Sequence, residues 1–165
     1  MSKARRSASG RRPGAGQRRS VARLAAVQAL YEMDMVGAPA DAVLAEFMAK
    51  RWRFSADEDR SEAMAEPDDA WLTDLVNGVS SRAAELDGAI AQALSSGMTP
   101  DRLETLLRVV LRAGAYELKA KLEVPAAVVI NEYVEVANAF FEGKEAALVN
   151  GVLDRLAREL RAGEL

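Results

Sequence analysis

An all-α fold is expected from three features of this 165-residue chain. Apolar residues recur at three- and four-residue spacing along most of its length. The apolar half of the composition is mostly Ala, Leu and Val, with aromatics at only 5%, and Ala and Leu are strong helix formers. No segment alternates apolar and polar residues over a strand's length between hairpin signals.

Residues 1–18 are mainly Arg, Ser, Gly, Ala and Pro, with almost no bulky apolar group. Such a stretch cannot bury enough surface to offset the entropy of ordering, so a disordered basic arm is expected there and one domain over 19–165. Ser20 is the expected cap of a first helix, in which Leu24, Val27, Tyr31 and Met35 share a face and Gly37, Ala38 and Pro39 mark the end. A second helix from about Asp41 to Trp52 carries Val43, Leu44, Phe47 and Met48. Residues 55–69 hold Asp57, Glu58, Asp59, Glu62, Glu66, Pro67, Asp68 and Asp69, and a solvated acidic loop is expected. A third helix from near Pro67 carries Trp71, Leu72, Leu75, Val76 and Val79, with Gly78 marking close packing or a bend. The chain is expected to continue helically through Leu86, Ile90 and Leu94 to Ser95, Ser96 and Gly97.

The fifth helix has the clearest pattern. Thr99 and Pro100 read as a cap followed by proline at the first helical position, and Leu103, Leu106, Leu107, Val110 and Leu111 fit one helical face without a miss. Pro125 opens a sixth helix with Ile130, Tyr133, Val134, Ala137 and Phe141. Gly143 separates it from a seventh, with Val149, Val152, Leu153, Leu156 and Leu160.

Charge is distributed unevenly. The first 23 residues carry eight cations (Lys3, Arg5, Arg6, Arg11, Arg12, Arg18, Arg19, Arg23) and no acid, leaving 14 basic against 25 acidic residues in the remainder. A basic arm on an acidic body is the pattern of a nucleic-acid-binding tail. The chain has neither Cys nor His. That removes disulfides, thiolate metal sites, Ser-His-Asp and Cys-His catalysis and an ordinary zinc site. The acidic stretch fits no calcium-loop template, since the glycine at the sixth position and the glutamate at the twelfth are both missing. No metal or other cofactor is expected. No run approaches the roughly 18 to 20 apolar residues that span a bilayer, and no export signal is apparent. A cytoplasmic protein with no membrane association is expected.

Four blocks of sequence resemble the NusB family. They are RRSVARLAAVQALYEMD (18–34), LRAGAYELKAKLEVPAAVVINEYVEVANAFF (111–141), LVNGVLDRLA (148–157) and, more weakly, DLVNGV with LDG (74–88). The resemblance implies two small helical bundles packed into one domain. It implies a non-enzymatic factor in transcription antitermination or termination that binds boxA-type single-stranded RNA. It also implies a heterodimer with the ribosomal protein NusE, acting on the RNA polymerase antitermination complex during ribosomal RNA synthesis. The free protein is expected as a monomer or a homodimer.

Several residues carry these expectations. Arg18, Arg19 and Arg23 are suited to attracting phosphate; Arg19 and Arg23, four apart, share a helix face. Tyr31 either packs in line with Leu24 and Val27 or stacks on a base, as single-strand recognition requires; Gln28 flanks it. Near the last helix, Lys144 and Asn150 are further RNA candidates, although Leu148 stands where the family often has an aromatic. Arg112, Tyr116 and Glu117 are expected on the NusE-facing surface, whereas Asn131 and Glu132 are expected to serve structure. Two other classes remain open: a protein adaptor using the same helical faces, and a small RNA-modifying enzyme working with carboxylates or lysines alone.

Overall fold

The computed structural model describes residues 14–55 and 66–165, and of 51–55 the backbone alone. Among the described residues there are seven α-helices and no strand: α1 Ala15–Val36, α2 Ala40–Ser55, α3 Asp69–Ser81, α4 Ala83–Ala93, α5 Thr105–Ala120, α6 Ala126–Phe140 and α7 Glu145–Leu160. None is long and apolar enough to cross a membrane. One bundle is formed by α1, α2 and α3, and the other by α4 to α7; α1 and α3 pack on α5 to join them.

α5 occupies the centre because its sequence is apolar almost all round. From Leu107 to Leu118 only Arg108 and Arg112 escape full burial, the pattern of a helix enclosed by others. It touches α1, α3, α4, α6 and α7. Two glycines allow the closest approaches. A Cβ on Gly114 would lie 2.7 Å from Leu153 Cδ1, and one on Gly78 would collide with the Tyr116 ring. Gly78 therefore marks close packing between α3 and α5, within an unbroken helix.

Helix ends differ from the sequence expectation where tertiary contacts intervene. α1 begins at Ala15, with Gly14 in the cap position. Ser20 lies inside the helix and donates its hydroxyl to the Glu132 carboxylate, 2.8 Å away. Of the expected arm, residues 1–13 lie outside the described residues. Arg82 interrupts the expected continuous helix, with φ −118° and ψ 18° between α3 and α4. Thr99 and Pro100 open a short 3-10 turn, Pro100–Arg102, and the extended Leu103 separates it from α5. The Arg108 guanidinium donates to the Pro100 carbonyl at 3.3 Å, which ties this turn to α5. Most of the acidic stretch, 56–65, lies outside the described residues. Its last part caps α3: the Trp71 N–H donates to the Asp68 carboxylate at 3.1 Å. Among the described residues no group of acidic side chains is placed to hold a metal ion.

The far end of α5 is closed by a residue that the apolar pattern does not single out. Arg161, just beyond α7, is 6% exposed. Its guanidinium donates to the carbonyls of Glu117, Leu118, Lys121 and Val124. The last carbonyls of a helix have no partner within it, so Arg161 caps α5 and clamps the α5–α6 turn. Glu164 completes the clamp by accepting the Ala126 N–H at 2.6 Å. Replacing Arg161 by Met is expected to lower stability by about 3 kcal/mol, since several buried carbonyls lose a charged donor together. Urea unfolding measures this, and an unchanged midpoint would contradict the capping role.

Candidate nucleic-acid interface

The first turns of α1 present the basic residues. Arg18 is exposed and Arg19 half-buried. The Asp68 N–H donates to the Arg18 carbonyl at 3.0 Å, which docks the start of α3 beside them. That places Trp71, in the first turn of α3, under Arg19, whose Cζ lies 4.1 Å from the ring centroid. Among the described residues neither Arg18 nor Arg19 forms an ion pair, so both keep their charge uncompensated.

Arg23 is different, and the expectation for it is corrected. It is 2% exposed, and Glu117 is fully buried. Arg23 Nε and Nη2 donate to the two Glu117 oxygens at 2.8 and 2.9 Å, and Nη1 lies 3.5 Å from Glu132. The Tyr133 hydroxyl also donates to Glu117. An arginine buried in this way and paired with carboxylates is out of reach of a phosphate at the surface. Glu117 is likewise removed from the partner-facing surface, because its carboxylate is consumed in the core. Ser20 and Glu132 extend the network to the protein's edge, in keeping with the structural role expected of Glu132.

Gln28 and Tyr31, three apart on α1, are both exposed. Tyr31 keeps 36% of its surface accessible, enough for a base to meet part of the ring. Lys144 is exposed at the cap position of α7, and Asn150 is exposed within it. Leu148 is half-buried and packs against the core.

These residues do not gather into one patch. α1 runs antiparallel to α5, with Arg23 against Glu117 and Asp34 near Arg108 and Arg112. α7 runs parallel to α5, with Leu153 at Gly114 and Arg161 at Leu118. Arg18 and Arg19 therefore sit toward the end of α5, and Lys144 toward its beginning. At 1.5 Å per residue the separation along α5 is about 24 Å. A ligand meeting both must be extended.

Tyr116 is also corrected as a partner contact. It is 5% exposed, its ring covers Gly78, and its hydroxyl donates to Asp74 at 3.0 Å. Lys121 pairs with the same carboxylate at 2.7 Å. Arg112 remains accessible in part: it binds Asp87 through two 2.7 Å contacts and Asp34 through one of 3.3 Å. With Asp34, Leu30, Met33, Val79 and Val109 it lines a shallow groove where α1, α3 and α5 meet.

The residues that the sequence pattern did not single out are Trp71 as a seat for cations, Lys121 with Asp74, and the buried task of Arg23. A signal for the last was present. Arg23 precedes Ala26, Val27 and Leu30 at helical spacing, and all three are buried.

The NusB family model matches residues 20–158. The chain belongs to the NusB family. Among curated NusB proteins, the transcription antitermination protein NusB of Caulobacter vibrioides is 49% identical over 145 residues, covering 88% of this chain and 95% of that protein. Two solved structures share the fold. T. maritima NusB aligns with a TM-score of 0.69 at 26% identity, covering 86% of this chain and 91% of the other. The antitermination factors NusB and NusE in complex with double-stranded RNA align at 0.67 and 25%, covering 86% and 96%. The NusB core as seen in this chain thus holds an ionic network between α1, α5 and α6.

That network has a pH signature. Burial, followed by the Glu117 carboxylate, raises the Tyr133 hydroxyl well above its ordinary value of 10.0. A raised folded-state value contributes stability below the unfolded pKa, and that contribution is lost as pH rises past it. Stability is expected to fall as pH climbs above 10, and Tyr133→Phe is expected to make that decline shallower. Unfolding midpoints against pH measure this; identical alkaline declines in the two proteins would contradict it.

Proposed function

We propose that the protein is an RNA-binding transcription antitermination factor that works without catalysis, as one half of a heterodimer with NusE. The observation that carries this reading is the pair of uncompensated arginines, Arg18 and Arg19, at the entry of α1 in a chain of the NusB family. Phosphate attraction by such cations releases counterions and supplies affinity with little sequence choice. Sequence preference then comes from side chains that meet bases, for which Tyr31 and Gln28 on α1 are the candidates. Lys144 and Asn150, at the beginning of α7, take a further part of the same strand. The placement of α1 antiparallel and α7 parallel to α5 favours an extended, single-stranded boxA-type RNA over a compact ligand. Arg112 and its groove are the proposed share of the NusE-facing surface. The assembled pair then acts on transcribing RNA polymerase in the cytoplasm, during ribosomal RNA synthesis.

Two adjoining sites on one RNA act in series, so the heterodimer is expected to bind far more tightly than the isolated chain. Fluorescence anisotropy of labelled boxA-type RNA, a scrambled strand and a duplex, with and without NusE, tests this. The expected result is preference for the single boxA-type strand, tightened at least about tenfold by NusE. Equal weak binding to all three RNAs, unaffected by NusE, would overturn the reading. Preference for the duplex would overturn its single-stranded part.

A further inference from the structure

Three cations surround the Trp71 indole, and they differ in one respect. Arg19 lies 4.1 Å from the ring centroid, Lys121 4.8 Å and Arg23 5.6 Å. Lys121 is neutralised by Asp74 and Arg23 by Glu117. Arg19 has no carboxylate among the described residues. Its Nε and the indole N–H are both buried with no hydrogen-bond partner there. The ring, 7% exposed, is thus the group that holds this guanidinium.

The choice of holder matters for a phosphate ligand. A carboxylate would fix the side chain but cancel its charge. An aromatic face attracts the cation through its quadrupole and leaves the net charge intact. A long side chain ordered beforehand also loses less freedom when it binds. We propose that Trp71 is a positioning residue for RNA: it fixes the Arg19 guanidinium at the entry of α1 while leaving its charge available to phosphate. The inference rests on the RNA-binding reading above and adds a residue, buried in α3, that touches no RNA itself.

The test measures binding of labelled boxA-type RNA over a range of salt concentrations. It compares the wild-type protein with Arg19→Gln, Trp71→Leu, Trp71→Phe and the Arg19→Gln/Trp71→Leu double variant, each checked for helicity and unfolding midpoint. Arg19→Gln is expected to weaken binding roughly tenfold and to lower the salt slope by about one. Trp71→Leu should reproduce most of both changes, Trp71→Phe should restore binding, and the double variant should lose no more than Arg19→Gln alone. A spectroscopic arm does not depend on these variants folding. In a Trp52→Phe protein Trp71 is the sole indole, and its emission should shift when RNA draws on Arg19. Additive losses in the double variant, wild-type binding by Trp71→Leu, or Trp71 emission indifferent to bound RNA would each overturn the inference and leave the RNA-binding reading intact. A wild-type protein that binds no RNA would overturn that reading, and the inference with it.

Discussion

A carboxylate with no solvent exposure must find several donors or cost several kcal/mol in lost hydration. Glu117 finds them on two other helices: two from Arg23 of α1 and one from Tyr133 of α6. Each of these side chains needs the others. Arg23 is a cation in the core that, among the described residues, Glu117 and Glu132 compensate, and Tyr133 is fully buried with its hydroxyl aimed at the same carboxylate. Removal of one member of such a pair costs roughly 3 to 5 kcal/mol, because the remaining charge is stranded. A pair of apolar residues could fill the same volume, so the ions' contribution lies in direction. They set where α1 sits along α5, and that placement decides which residues reach the surface.

The surface follows from this placement. With Arg23 fixed against Glu117, Arg19 is one turn earlier over Trp71, and Arg18 faces solvent beside it. At the other end of α1, Asp34 meets Arg112, beside the groove that also receives Leu30 and Met33. Arg161 fixes the opposite side of α5 through four carbonyls, which sets the direction of α7 and hence the position of Lys144. The central helix therefore carries, on its flanks, the uncompensated Arg18 and Arg19, an exposed tyrosine and a groove lined by the half-buried Arg112.

Much of the fold was legible because α5, α6 and α7 carry their apolar residues at regular helical spacing. What was illegible depended on distant contacts. The start of α1 at Ala15 lies in a polar stretch where periodicity is silent, and its order comes from Asp68 and Trp71, about fifty residues away in sequence. Leu103 fits the helical stripe of α5 by spacing, yet the 3-10 turn at Pro100 leaves it extended. Among site residues, charge and resemblance misled. Arg23 reads as a phosphate contact by its charge, and Tyr116 and Glu117 as partner contacts by the family resemblance, yet all three are buried. The stripe told otherwise for two of them: Arg23 lies in line with Val27 and Leu30, and Glu117 in line with Val110, Ala113 and Gly114. Their partners, 94 residues apart, could not be paired by spacing alone. Arg18, Gln28, Tyr31 and Lys144 were legible as exposed polar or aromatic positions, but their distribution along opposite ends of α5 was not.

The central claim is that neighbouring arginines on α1 divide their labour, with Arg23 building the core and Arg18 and Arg19 keeping their charge for RNA. The salt dependence of RNA affinity, measured per folded molecule for Arg23→Gln and for Arg18→Gln, tests it most directly. Removing a cation that neutralises one phosphate should lower the salt slope by about one. The account predicts that Arg18→Gln lowers the slope without changing the unfolding midpoint, while Arg23→Gln lowers the midpoint and leaves the slope at its wild-type value. A reduced slope for Arg23→Gln at unchanged stability would contradict it.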